Sequence, residues 1–183
     1  MENCRIIGID LGNKSRCSIV GMDSNQKIIE YYRIEYETEP YYHRIKICDV
    51  LDKMVDSYDY IIFEQVNLFR GKFISKLSNI MSLAFLQAKI IDRYSERIGI
   101  CEVNVRSWKV KVLGNGNAKK EDSVAYVKSH YPDVDLEIKI PYKKKKGKFK
   151  TVVDDDTADA VCISKYGVMS GKTWLEENRV NFT

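Results

Sequence analysis

Three short apolar runs rich in β-formers open the chain, at residues 4–11, 16–22 and 27–37. Between them stand Gly12-Asn13 and Ser24-Asn25, residue pairs that tolerate the backbone of tight turns, so the pattern predicts three successive strands. Residues 41–58 then place Ile47, Leu51, Met54 and Val55 at helical spacing, with Pro40 suited to the helix start. Residues 60–64, "YIIFE", are a continuous apolar run of the kind expected for a strand buried on both faces, and the run closes on an acid. A long helix is predicted over 72–97, where Ile74, Leu77, Met81, Ala84, Ala88 and Ile91 share a stripe that suits either core packing or a subunit seam. Residues 100–103 read as a further strand, and 104–113 and 118–129 as two helices separated by "GNGN". A last helix begins at Asp155 or Asp156, where acids favour the helix dipole, and runs to Val168. The order of elements predicts an α/β fold with a mixed sheet, in one domain over 1–183. A basic insertion at about 131–151 is the only candidate for a flexible segment.

Composition changes this picture little. A chain of 183 residues with 44% hydrophobic and 31% charged positions can bury a real core and reads as an ordinary globular protein. No basic head precedes a long apolar stretch, and no run approaches the roughly 18 apolar residues of a membrane span. No membrane association is therefore expected, and the expected location is the cytoplasm, or the host cytoplasm if the source is viral. Five cysteines stand singly and never as CxxC, which suits buried small hydrophobes in a reducing compartment.

Charge is more informative by its distribution than by its sum. The formal net charge is only +4, yet residues 142–150, "YKKKKGKFK", carry six lysines and no acid, and "DDD" follows at Asp154, Asp155 and Asp156. A basic stretch beside an acidic cluster suits a protein that holds a polyanion and also sets carboxylates against it.

The acids themselves form a pattern. A lone acid at the end of a first strand, as at Asp10, occurs in the phosphate-gripping hairpin of two-lobed ATPases and in the metal-binding first strand of certain nucleases. The ATPases need two such lobes, and 183 residues allow one. If the strands at 4–11 and 60–64 are neighbours, Asp10 and Glu64 project at the same end. Asp156 and Asp159, three apart on a helix, share a face. Four converging carboxylates repel one another, a cost that makes sense if a divalent cation occupies the space between them. Oxygen-only ligation points to Mg2+ or Mn2+. Structural roles compete with this reading: Asp10 could be a turn residue, and Asp155 or Asp156 a helix cap. Glu64 is harder to dismiss, because an acid closing so apolar a strand is half-buried, and buried acids are rare unless paired or ligating.

The segments "IIGIDLGNKS", "DYIIFEQV", "VLGNGNAKKEDSVAYV" and "DDDTADAV" resemble, in order and in spacing, the motifs of RuvC-type Holliday junction resolvases, over about residues 4–170. The resemblance implies an RNase H-like fold, a mixed five-stranded sheet of three antiparallel strands followed by two parallel ones, flanked by helices. It makes Asp10, Glu64, Asp156 and Asp159 the catalytic metal-binding quartet, with Asp154 and Asp155 as alternatives by register. The cofactor implied is Mg2+, with Mn2+ substituting and two ions per subunit. The implied partner is branched DNA. A homodimer would make paired nicks in a four-way junction, leaving 5′-phosphate and 3′-hydroxyl ends. Lys109, Lys111, Lys119 and Lys120 fall in the region that the family sets against DNA phosphates. Phe69 stands two residues beyond the position of a base-stacking aromatic, which is Asn67 in this chain. The lysine-rich insertion, including Lys143, Lys144, Lys145 and Lys146, is similar in style to diverged phage and poxvirus members, and these four lysines are further candidate DNA contacts. The rival readings are a related nuclease acting on other branched DNA or on RNA–DNA hybrids, and a DNA-binding module without chemistry.

Overall fold

Apolar runs rich in β-formers, broken by turns through Gly12 and through residues 23–27, build the first half of the sheet. The computed structural model describes residues 4–12, 16–35, 40–66, 69–70, 73–74, 77–141 and 149–180, with only the backbone at 40–44, 69–70, 73–74, 77–79 and 140–141. Strands β1 (Ile6–Asp10), β2 (Arg16–Met22) and β3 (Ile28–Glu35) form an antiparallel meander, with Asp10 opposite Ser18 and Ser18 opposite Arg33. Helix α1 (Pro40–Met54) and a 3-10 turn at Val55–Ser57 lead to β4 (Tyr60–Glu64), which lies parallel to β1 with Ile9 beside Phe63. Two short strands, β5 (Phe69–Arg70) and β6 (Phe73–Ile74), precede α2 (Leu77–Tyr94) and β7 (Gly99–Val103), the latter parallel to β4. The sheet order is β3-β2-β1-β4-β7, three antiparallel strands and then two parallel ones. Helices α3 (Val105–Leu113) and α4 (Lys120–His130) follow, then strands β8 (Glu137–Pro141) and β9 (Phe149–Val153) and the long α5 (Asp155–Glu177).

Each central strand feeds two cores, because successive side chains point to opposite faces. Ile7, Ile9, Ile61 and Phe63 meet α1 and α2, while Ile6, Tyr60 and Ile62 meet α3, α4 and α5. The same alternation puts Asp10 and Glu64 on the α5 face, in register with Ile6 and Ile62. Helix α5 approaches β1 closely at Gly8, where an added Cβ would lie 2.3 Å from Ser164 Oγ and 2.7 Å from the Ala160 carbonyl oxygen. Glycine there sets the depth at which α5 packs. All five cysteines are buried and none forms a disulfide, and no helix among the described residues is long and apolar enough to cross a membrane.

Several sequence expectations are corrected. The helix expected over 72–97 begins only at Leu77: Phe69 pairs with Ile74 and Arg70 with Phe73, so Ile74 belongs to a strand. Aromatic and β-branched residues on either side of Gly71 favour the hairpin over an earlier helix start. In α2 the buried face is Ile80, Leu86, Ile90, Ile91 and Tyr94, while Met81, Ala84 and Ala88 of the expected stripe are exposed. Within the segment at 131–151, Glu137 to Pro141 pair in register with Val153 to Phe149 as a two-stranded sheet separate from the main one. Lastly, α5 continues past Val168 through a kink at Gly171 (φ 75°, ψ 167°), and the continuation returns Trp174 edge-on to Tyr166 at 5.1 Å.

Candidate active site

The acids expected to act together come from three elements. Asp10 ends β1, Glu64 ends the adjacent parallel β4, and Asp156 and Asp159 lie on the first turns of α5. At Asp10 the chain turns through Gly12 (φ 55°), where a Cβ would strike the Arg16 carbonyl oxygen at 1.9 Å, and the Gly12 N–H donates to Asp10 Oδ1 at 2.9 Å. Burial pushes the Asp10 carboxyl well above its ordinary range, and the charges of Glu64, Asp159 and Asp156 push it further, against a smaller opposite pull from the Gly12 N–H. Asp10 thus lies in the field of the other three acids. Burial likewise raises Asp159 to about 6, with the Glu64 charge adding to it and Ser123, Lys120 and Lys109 opposing it. The Ser123 hydroxyl faces Asp159 without a hydrogen bond of normal geometry: Ser123 Oγ and Asp159 Oδ1 are both buried and unpartnered.

Two more of the acids already have protein partners. Trp108, wholly buried on α3, donates its indole N–H to Glu64 Oε1 at 2.8 Å, and Gln87 from the opposite face of the sheet donates to the Glu64 carbonyl at 2.5 Å. Asp156 lies between Arg16 Nε at 3.6 Å and Lys120 Nζ at 3.5 Å. Burial raises the Asp156 carboxyl, and these two cations only partly oppose the rise. Lys120 also pairs with Asp155; burial works against its charge, but Asp155, Asp156 and Asp159 together hold its pKa above the ordinary lysine value. Asp154 is a different case, since it is fully buried, caps α5 and pairs with Arg33 at 2.7 Å. Of the three consecutive acids, Asp156 carries a charge that acts on Asp10, while Asp154 is taken by Arg33 and Asp155 by Lys120.

Among the described residues, no three acid, histidine or cysteine side chains are gathered tightly enough to hold an ion as they stand. The charges of Glu64, Asp156 and Asp159 act on Asp10 without the four carboxylates gathering into a closed cluster. That is the arrangement expected of mutually repelling carboxylates, one drawn aside by Arg16 and Lys120 and one tied to Trp108. The donor set, all hard oxygen, still fits Mg2+ or Mn2+, and the unpartnered buried Oδ1 of Asp159 is an acceptor in want of a cation.

The remaining expected residues are spread out. Lys109 donates to the Ala118 carbonyl at 2.7 Å and is near enough to lower the Asp159 carboxyl. Lys111 turns the other way, to Ser170 Oγ at 3.0 Å and over the Tyr166 ring. Lys119 precedes α4, its backbone N–H donating to Asp122 Oδ2 at 2.7 Å. Phe69 lies in β5, where only the backbone is described, and Lys143 to Lys146 lie outside the described residues. Sequence reasoning missed Arg16, Arg33, Ser18, Thr157 and Trp108. Strand parity could have found the first three, because pairing Asp10 with Ser18 puts Arg16, Ser18 and Arg33 on the face of Asp10. Nothing in the local pattern marks Trp108.

No protein-family model matches the chain, and no curated protein does. Solved structures do. A Thermus thermophilus RuvC structure aligns with a TM-score of 0.59 at 12% identity, over 88% of this chain and 92% of that one. T. thermophilus RuvC in complex with a Holliday junction substrate aligns with a TM-score of 0.63 at 11% identity, over 97% and 99%. At such identities the likeness is one of backbone architecture. The five-stranded order, the flanking helices and their near-complete overlap with both structures show that this chain has the RuvC-type resolvase fold.

Proposed function

We propose that the chain is a divalent-metal-dependent endonuclease that nicks four-way DNA junctions in pairs, with Asp10, Glu64, Asp156 and Asp159 as its metal-binding acids. The observation that carries this reading is that the ends of β1 and β4 and the first turns of α5, at one end of a RuvC-type sheet, set Glu64, Asp156 and Asp159 near enough for their charges to act on the buried Asp10. Such a concentration of negative charge destabilises the fold unless it serves a cation. Mg2+ held there, as two ions, would activate water and stabilise the leaving oxygen of phosphodiester hydrolysis.

This chain's own groups have definable parts in that reaction. The Gly12 N–H orients Asp10, and the Trp108 indole orients Glu64. Arg16 and Lys120 neutralise Asp156 and stand where a phosphate approaching the acids would need positive charge. Lys109, beside Asp159, extends that charge, and Lys143 to Lys146 would add to it from the segment that leads into α5. Met81 and Phe85 are 62% and 49% exposed on α2, an apolar face that supports a homodimer. Two subunits related by a two-fold axis would supply the two sites that paired nicks require.

The test is incision of a synthetic four-way junction in Mg2+ beside a duplex, a flap and an RNA–DNA hybrid of the same sequence. Paired nicks confined to the junction are expected. Equal cutting of flap or hybrid would replace junction resolution with a broader nuclease reading, and binding without cutting any of them would leave a DNA-binding module.

A further inference from the structure

The rung of the sheet that carries Asp10 continues into β2 as Ser18 and into β3 as Arg33. Directly paired residues project from the same face, so Ser18 beside Asp10 and Arg33 beside Ser18 both point at the first turn of α5. There they meet a closed network. Asp154 accepts the Thr157 N–H at 3.3 Å through one carboxylate oxygen. Its other oxygen takes the Thr157 hydroxyl at 2.5 Å and Arg33 Nε at 2.7 Å. Since the Thr157 proton goes to Asp154, the Ser18 hydroxyl, 2.9 Å away, donates to Thr157 Oγ1. Arg33 Nε also lies 3.3 Å from that oxygen. Ser18, Asp154 and Thr157 are all buried.

Starting a helix requires much less than this. A serine or asparagine would supply the N-cap bond without burying a charge, and a buried ion pair is weak evidence for stability because its desolvation offsets its attraction. What the network fixes is position. Thr157 lies between Asp156 and Asp159 on a helix that turns about 100° and rises about 1.5 Å per residue, so a small slip or rotation of this turn carries both acids away from Asp10. The contact at Gly8 sets the depth of α5 on the sheet further along the helix, and the polar network pins the end that bears the acids.

We propose that Ser18, Arg33, Asp154 and Thr157 are positioning residues that register α5 to the strand rung of Asp10, and so hold Asp156 and Asp159 in place for metal. The proposal rests on the metal-dependent reading above. Its test is Mn2+ affinity by titration calorimetry on the DNA-free protein, with melting temperature in chelator measured alongside. Thr157→Val keeps side-chain shape and the backbone cap but removes the hydroxyl. It should weaken Mn2+ binding by about 10- to 100-fold, as loss of outer partners of metal ligands does. Thr157→Ser, which keeps the hydroxyl, should return the affinity close to that of the wild type. In junction cleavage Thr157→Val should lower kcat and leave KM for the junction unchanged. A variant that melts lower yet binds Mn2+ like the wild type would reduce the network to a helix cap and overturn the proposal. Should Thr157→Val not fold, Arg33→Gln, altered at the partly exposed edge of the network, is read by the same two criteria. A wild-type protein that binds no Mn2+, or binds it equally well as Asp10→Asn, would overturn the metal reading itself, an outcome distinct from unaffected Thr157 variants in a metal-binding wild type.

Discussion

Neutralising Asp159 should stabilise the metal-free protein, although it removes a residue proposed to serve the chemistry. Asp159 is 7% exposed, and burial together with the Glu64 charge raises its carboxyl from an ordinary 3.8 to about 6. A raised carboxylate pKa means that the folded state prefers the proton. Below about pH 4 the group is protonated whether folded or unfolded, and the fold pays nothing for it. Between about pH 4 and pH 6 the unfolded carboxylate ionises while the folded one keeps its proton, so stability is lost across that window and the penalty is complete above it. A shift of roughly 2 units corresponds to about 3 kcal/mol at neutral pH. Asp159→Asn should recover most of that, which for a chain of this size is a rise of about 6 to 12 °C in Tm. The assay is thermal melting in chelator at pH 4, 6 and 8, then in Mg2+. The gap between variant and wild type should open as pH rises. Mg2+ should stabilise the wild type, through preferential binding to the folded state, and do little for the variant. An Asp159→Asn protein that melts below the wild type at pH 8 in chelator would refute the account of electrostatic strain.

Asp10→Asn should abolish incision in Mg2+ while leaving junction binding, measured by gel shift in Ca2+, intact or tighter, because a charge facing phosphate is lost. Asp156→Asn should cost far more cleavage than Asp155→Asn, since the charge of Asp156 acts on Asp10 and Asp156 shares a helix face with Asp159; single-turnover rates decide, and a greater loss at Asp155 would move the site by one residue. Glutamates at both Met81 and Phe85 should convert a dimer to a folded monomer in sedimentation, because both side chains are exposed on the isolated subunit; an unchanged dimer would place the seam elsewhere. Replacing Lys143 to Lys146 by glutamine should flatten the salt dependence of binding to every DNA shape, with each lost phosphate contact releasing about one ion fewer. An unchanged slope would remove the segment from the interface.

Periodicity by itself determined most of the sheet. Tyr60–Glu64 emerges with the bounds read from "YIIFE", because a strand buried on both faces must be continuously apolar and this run ends where an acid closes it. The first three strands emerge within two residues of their expected ends, since glycine and asparagine turns leave little choice of register. The candidate acids were legible for a related reason: a carboxylate at the end of an apolar strand, or a pair at helical spacing before an apolar stripe, contradicts the local pattern. Where the pattern alone was silent, tertiary contact decided. Which face of α2 is buried depends on what lies beneath it, and Leu86, Ile90 and Tyr94 reach the core while Met81 does not. What separates Asp154, Asp155 and Asp156 is contact with residues remote in sequence: Arg33 pairs with the first, Lys120 with the second and third, and the charge of the third acts on Asp10. Trp108 and Thr157 gain their roles only from the strands laid against them. Local sequence encodes the period of burial, which is a property of one element. The charges and hydrogen bonds around the four candidate acids act across elements, and they exist only once the chain has folded.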